Sequence, residues 1–161
     1  MEEILELLKQ KRYLQTTTAC DNLLKKKPLG WDNKYDVLII KAECQFYTGN
    51  FSACRETLTT AQKIKKIYNS YMWQGLLEWY EKADYIGADE YLKEALNLAP
   101  YHLEKERGKI LLHLAALKSE TGNFIKAKDY FSLAMDLIPE EQIEKERIIH
   151  LIYMREFERV I

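Results

Sequence analysis

The residues best suited to chemistry in this 161-residue chain are three histidines and three cysteines. The segment HLEKE, which begins at His102, lacks the second histidine of a helical zinc pair, and His113 and His150 stand alone. Cys20, Cys44 and Cys54 show no paired spacing. Each falls where a helical pattern asks for a small or apolar residue, and a buried cysteine packs as a small hydrophobe. An odd set of cysteines without paired spacing suits a reducing compartment. There is no glycine-rich phosphate loop, no Gly-x-Ser-x-Gly elbow and no spaced carboxylate pair outside the helical pattern. The sequence therefore predicts no catalytic residue, no metal site, no cofactor and no enzyme.

Charge narrows the partners. The formal net charge is −1, unevenly placed: residues 1–68 carry twelve Lys/Arg against eight Asp/Glu, leaving twelve against seventeen in 69–161. Lysine clusters at 25–27 and at Lys63, Lys65 and Lys66 close helical patterns, where cations meet the negative end of the helix dipole. Contact with an acidic tail or an RNA backbone is the rarer use of such clusters. The chain lacks the basic footprint of a nucleic-acid binder, so none is expected. No apolar run approaches the roughly 20 residues of a membrane span, and ILLHLAAL is the nearest. The opening MEEILELLKQ is acidic and amphipathic, unlike a signal or transit peptide. The expected setting is cytoplasmic, with no membrane partner.

The elements that would position these residues are helices. Six glycines and three prolines are too few for a sheet protein and suit long helices with short connections. Gly-Asn-Phe is written twice, at 49–51 and 122–124, each time before a helical pattern. Around the later copy, Leu111, Leu114 and Ala115 precede the corner, and Phe124, Ala127, Phe131, Ala134 and Pro139 follow it. The earlier copy gives Leu38, Ala42, Phe51, Cys54, Leu58, Ala61 and Ile64. A third copy runs through Ala83, Tyr85, Ala88, Leu92, Ala95, Leu98 and Pro100. A degraded one opens the chain with Tyr13, Thr16, Cys20, Leu23 and Pro28. Small residues let antiparallel helices approach, bulky ones fill the gap, and proline stops the helix.

The corners fall at Lys11, Gly49, Ala83 and Gly122. Asn50, Asp84 and Asn123 follow three of them as helix N-caps. The pattern predicts helices over about 2–9, 12–26, 33–48, 51–64, 68–82, 85–98, 102–121, 124–137 and 141–158. The wider spacing before Gly49 and Gly122 implies about one extra helical turn there.

These units resemble the tetratricopeptide repeat, a helix–turn–helix of about 34 residues. The resemblance covers residues 1–139 and is strongest in the last unit. It departs at Gln45 and Lys118, where the family usually has Tyr, and at Lys66, where a Pro is usual. It implies one all-α domain over 1–161, a helical-hairpin solenoid with a right-handed superhelix. Its units would be 1–28, 33–66, 68–100 and 102–139, with a capping helix at 141–158.

In such arrays the first helices line a concave face that binds partner segments. Carried over by position, the groove residues are Ile39, Glu43, Phe46, Trp73, Leu77, Tyr80, Lys109 and Leu112; packing between neighbouring helices is the competing role for the apolar ones. Tyr47, Glu81 and Glu120 occupy further groove positions. The carboxylate clamp of chaperone co-factors with this fold would fall on Ile39, Glu43, Gln74, Lys109 and His113, of which Lys109 alone matches. Trp31 and Tyr35 are expected to anchor the core, and Trp79 and Tyr91 to fill between helices.

The functional expectation is a non-catalytic protein-protein interaction module holding an amphipathic helix or an extended segment in its groove. Two other readings stay open: a structural or self-associating scaffold subunit, and a ligand-sensing regulatory domain. Residues 141–161 are apolar on more than one stripe. They would lie in the groove, meet another chain as in a homodimer, or lead into a longer protein.

Overall fold

A computed structural model describes residues 1–26 and 28–138. The described residues form eight helices: α1 (Glu2–Lys9), α2 (Tyr13–Lys26), α3 (Trp31–Tyr47), α4 (Phe51–Ile64), α5 (Tyr68–Lys82), α6 (Tyr85–Leu98), α7 (Glu104–Glu120) and α8 (Phe124–Leu137). No strand occurs among the described residues. The helix expected at 141–158 lies outside them.

Each corner is closed by backbone geometry. Lys11, Gly49, Ala83 and Gly122 all take positive φ, at 57°, 76°, 52° and 81°. The left-handed residue turns the last carbonyls of one helix onto the N–H groups that follow. Gly49 N–H donates to Phe46 O and Asn50 N–H to Gln45 O, and the same pair of bonds recurs at Lys11 and Gly122. At Ala83 the loop is one residue wider, with Asp84 N–H reaching Glu78 O. The next helix then starts on a side-chain cap: Asn50 accepts from Ala53 N–H, Asp84 from Gly87 N–H and Asn123 from Lys126 N–H. These oxygens satisfy donors that a helix start leaves unpaired.

Five residues after each corner stand Thr16, Cys54, Ala88 and Ala127, each fully buried. A small side chain at this buried position lets the paired helices approach. Thr16 fits by donating its hydroxyl to Arg12 O within its own helix. Gly75 serves the same end from α5, since a Cβ there would lie 3.0 Å from Leu92 Cγ.

The pairs α1/α2, α3/α4, α5/α6 and α7/α8 are hairpins, and α2 packs on α3, α4 on α5 and α6 on α7. The result is an all-α helical-hairpin solenoid in which neighbours supply the burial. Polar staples reinforce the joins. Arg55 of α4 bridges Glu78 and Glu81 of α5, each at 2.9 Å. Arg107 of α7 donates to Leu96 O and Ala99 O, satisfying carbonyls at the end of α6.

The expected boundaries shift at two first helices. Helix α3 begins at Trp31, capped by Gly30, and α7 begins at Glu104 after a turn in which Leu103 N–H meets Pro100 O. Both run 17 residues against 15 for α5, so part of the extra spacing sits in the linkers rather than in a full added turn.

Candidate functional site

An aromatic strip crosses the first helices, and Phe46 of α3 is its hub. The Phe46 ring centre lies 5.7 Å from Tyr47, 5.5 Å from Phe51, 5.4 Å from Trp73 and 5.6 Å from Tyr80. Tyr13, at the start of α2, stacks on Tyr47 at 5.0 Å, and Trp79 stacks on Tyr80 at 4.8 Å. Most of the other pairs are edge-on or tilted, arrangements that the ring quadrupoles favour.

Depth separates these residues. Trp73 is 5 % exposed and belongs to the core, whereas Tyr47 and Tyr80 are 53 % and 57 % exposed. Of the other groove positions, Ile39, Leu77 and Leu112 are buried in apolar clusters. Phe46, Glu43 and Lys109 are half-buried. The structure therefore joins Phe46, Trp73 and Tyr80 in one strip and turns Ile39, Leu77 and Leu112 toward neighbouring helices.

A polar face adjoins the strip. Burial pushes the Glu43 carboxyl above its usual range, and the Lys109 cation from α7 partly offsets it. Burial and then Lys109 push His113 down to about 4, which keeps it a neutral imidazole near pH 7. Lys109 and His113 stand one helical turn apart on α7. Burial, then Glu43, raises the Tyr13 phenol; burial, then Glu120, raises Tyr80. Both phenols stay protonated and available as donors.

Glu120, at the end of α7, accepts from Trp79 Nε1 at 2.9 Å and from the Tyr85 hydroxyl at 3.3 Å. Trp79 is thus an inter-helix joint as well as filler. Gln74 does not share this face. It accepts from Gln62 of α4 and donates to Tyr91 of α6, bracing the second helices.

Tyr13 was not legible as a member of the strip. The available signal was its register, two residues past the corner like Phe51, Tyr85 and Phe124. Tyr13 and Tyr85 at that position meet the last turn of the next unit's first helix, at Tyr47 and Glu120.

Cys20, Cys44 and Cys54 are all buried. Burial raises Cys20 and Cys54 to about 12 and Cys44 to about 11, so each stays a neutral thiol. Among the described residues no group of His, Cys, Asp or Glu is arranged to hold a metal ion. No described helix is long and apolar enough to cross a membrane. No family model matches the sequence, and no curated protein matches it.

Proposed function

We propose that this chain is a non-catalytic interaction module of tetratricopeptide type, which holds a partner peptide or helix on the face built by its first helices. One observation carries this reading: Tyr47 and Tyr80, from successive first helices, are each more than half exposed yet continuous with buried Trp73 and half-buried Phe46. Large aromatic side chains held rigidly by a core lose little entropy on contact, which suits interface anchors. The four left-handed corners and the small buried residues after them support the repeat register. Three buried free thiols fit a reducing compartment, so the setting in this reading is cytoplasmic.

Capture from an extract of the source cells, with wild type and a Tyr47→Ala/Tyr80→Ala variant, tests it. Partner recovery should fall at least about tenfold in the variant while its melting curve stays close to wild type. Equal recovery by both would overturn the reading.

A self-associating scaffold is the second reading, favoured by a different feature. Leu14, Ile86 and Ile125, each three residues past a corner, are 73 %, 76 % and 74 % exposed. Sedimentation decides this: a strict monomer at tens of micromolar eliminates it, and a concentration-dependent dimer favours it.

A further inference from the structure

The strip has a carboxylate at each end. Glu43 stands one helical turn before Tyr47 on α3, Tyr13 stacks on Tyr47, Phe46 joins Tyr47 to Tyr80, and Glu120 holds Trp79, which stacks on Tyr80. Nearby acids are differently placed, because Arg55 already pairs with both Glu78 and Glu81. Among the described residues neither Glu43 nor Glu120 sits in an ion pair. Lys109 partly offsets Glu43 from a distance, while Glu120 is held by the neutral N–H of Trp79 and O–H of Tyr85. Its negative charge is therefore oriented but not neutralised.

His113 adds no cation near neutral pH. The exposed tyrosine rings would accept a cation as readily as an apolar group. The chain makes such contacts elsewhere, with Arg107 over the Tyr101 ring at 4.5 Å and Lys65 over Tyr35 at 4.9 Å.

We propose that the strip selects a basic amphipathic segment, whose apolar side chains cover Tyr47 and Tyr80 while arginine or lysine side chains reach Glu43 and Glu120. This rests on the interaction-module reading and adds to it the chemistry of the partner. Complementary charge gives such a site its selectivity, since Glu43 and Glu120 draw an arginine and repel a glutamate.

Two fluorescein-labelled amphipathic peptides with one shared apolar face, bearing arginine or glutamate at the polar positions, provide the test by fluorescence anisotropy. The arginine peptide should bind at least about tenfold more tightly than the glutamate peptide. Its advantage should shrink as salt rises, a measurement that needs no variant. Glu43→Gln/Glu120→Gln, which keeps an acceptor for Trp79 and Tyr85, should bring the two peptides to within about threefold. Tyr47→Ala/Tyr80→Ala should weaken both peptides alike. Equal affinity of wild type for the two peptides, or preference for glutamate, overturns the charge assignment and leaves aromatic docking standing. An undiminished arginine preference in the double glutamine variant also overturns it. Failure of both peptides to bind overturns this proposal and the interaction-module reading together.

Discussion

Lys11 and Ala83 hold the same left-handed conformation as Gly49 and Gly122 but carry a Cβ into it. Such a residue is strained by roughly 1 kcal/mol relative to glycine. A methyl group added at Gly49 or Gly122 would meet nothing within 4 Å, so the backbone cost stands alone there. Gly122→Ala should therefore lower stability by about 1 kcal/mol and Ala83→Gly should raise it by a similar amount, less the entropy glycine adds to the unfolded chain. Urea unfolding of both variants checks this; shifts of the same sign would contradict it. His113 contributes a pH dependence at this scale. Its folded value, about 4, lies below the ordinary 6.5, so the unfolded chain takes up the proton first as pH falls. The stabilisation is fully present above about pH 6.5 and is lost as pH drops toward 4. His113→Gln should flatten that slope, read as the change in urea midpoint between pH 7 and pH 4.5.

Among the helices, α5 serves two ends with one sequence. Its Trp73 and Leu77 face the core, while Tyr80, one turn further on from Leu77, reaches the surface. Alanine at the two aromatic positions should separate stability from recognition. Trp73→Ala leaves a large cavity and should cost about 3–5 kcal/mol. Tyr80→Ala loses only stacking and edge contacts and should cost about 1 kcal/mol. Thermal melts of the two variants measure the difference. Similar losses would mean that Tyr80 is structural, which would remove the ground for treating it as a docking residue.

Across the whole molecule, burial runs from neighbour to neighbour, so stability is a chain of local interfaces. Among the described helices the first is the least buried. Helix α1 has eight residues and buries only Ile4, whereas α5 buries seven residues and α7 eight. Amides of α1 should exchange with solvent well before those of α5 and α6, by at least about a hundredfold in rate. Native-state hydrogen exchange tests this, and uniform protection along the array would show instead a single cooperative unit.

Residues alone carried the repeat. Four corners, three N-caps and the small positions after each corner were readable because each is a local backbone or steric requirement with one or two suitable residue types. The candidate site was readable only as a set of helix positions. Which of those positions surface depends on how far each helix turns and on what the next unit lays against it. That is why Trp73 sank into the core while Tyr47 and Tyr80 stayed exposed, and why Gln74 turned to the second helices. The pairing of Tyr13 with Tyr47, and of Trp79 with Glu120 across 41 positions, belongs to inter-unit packing, which no period within a single unit encodes.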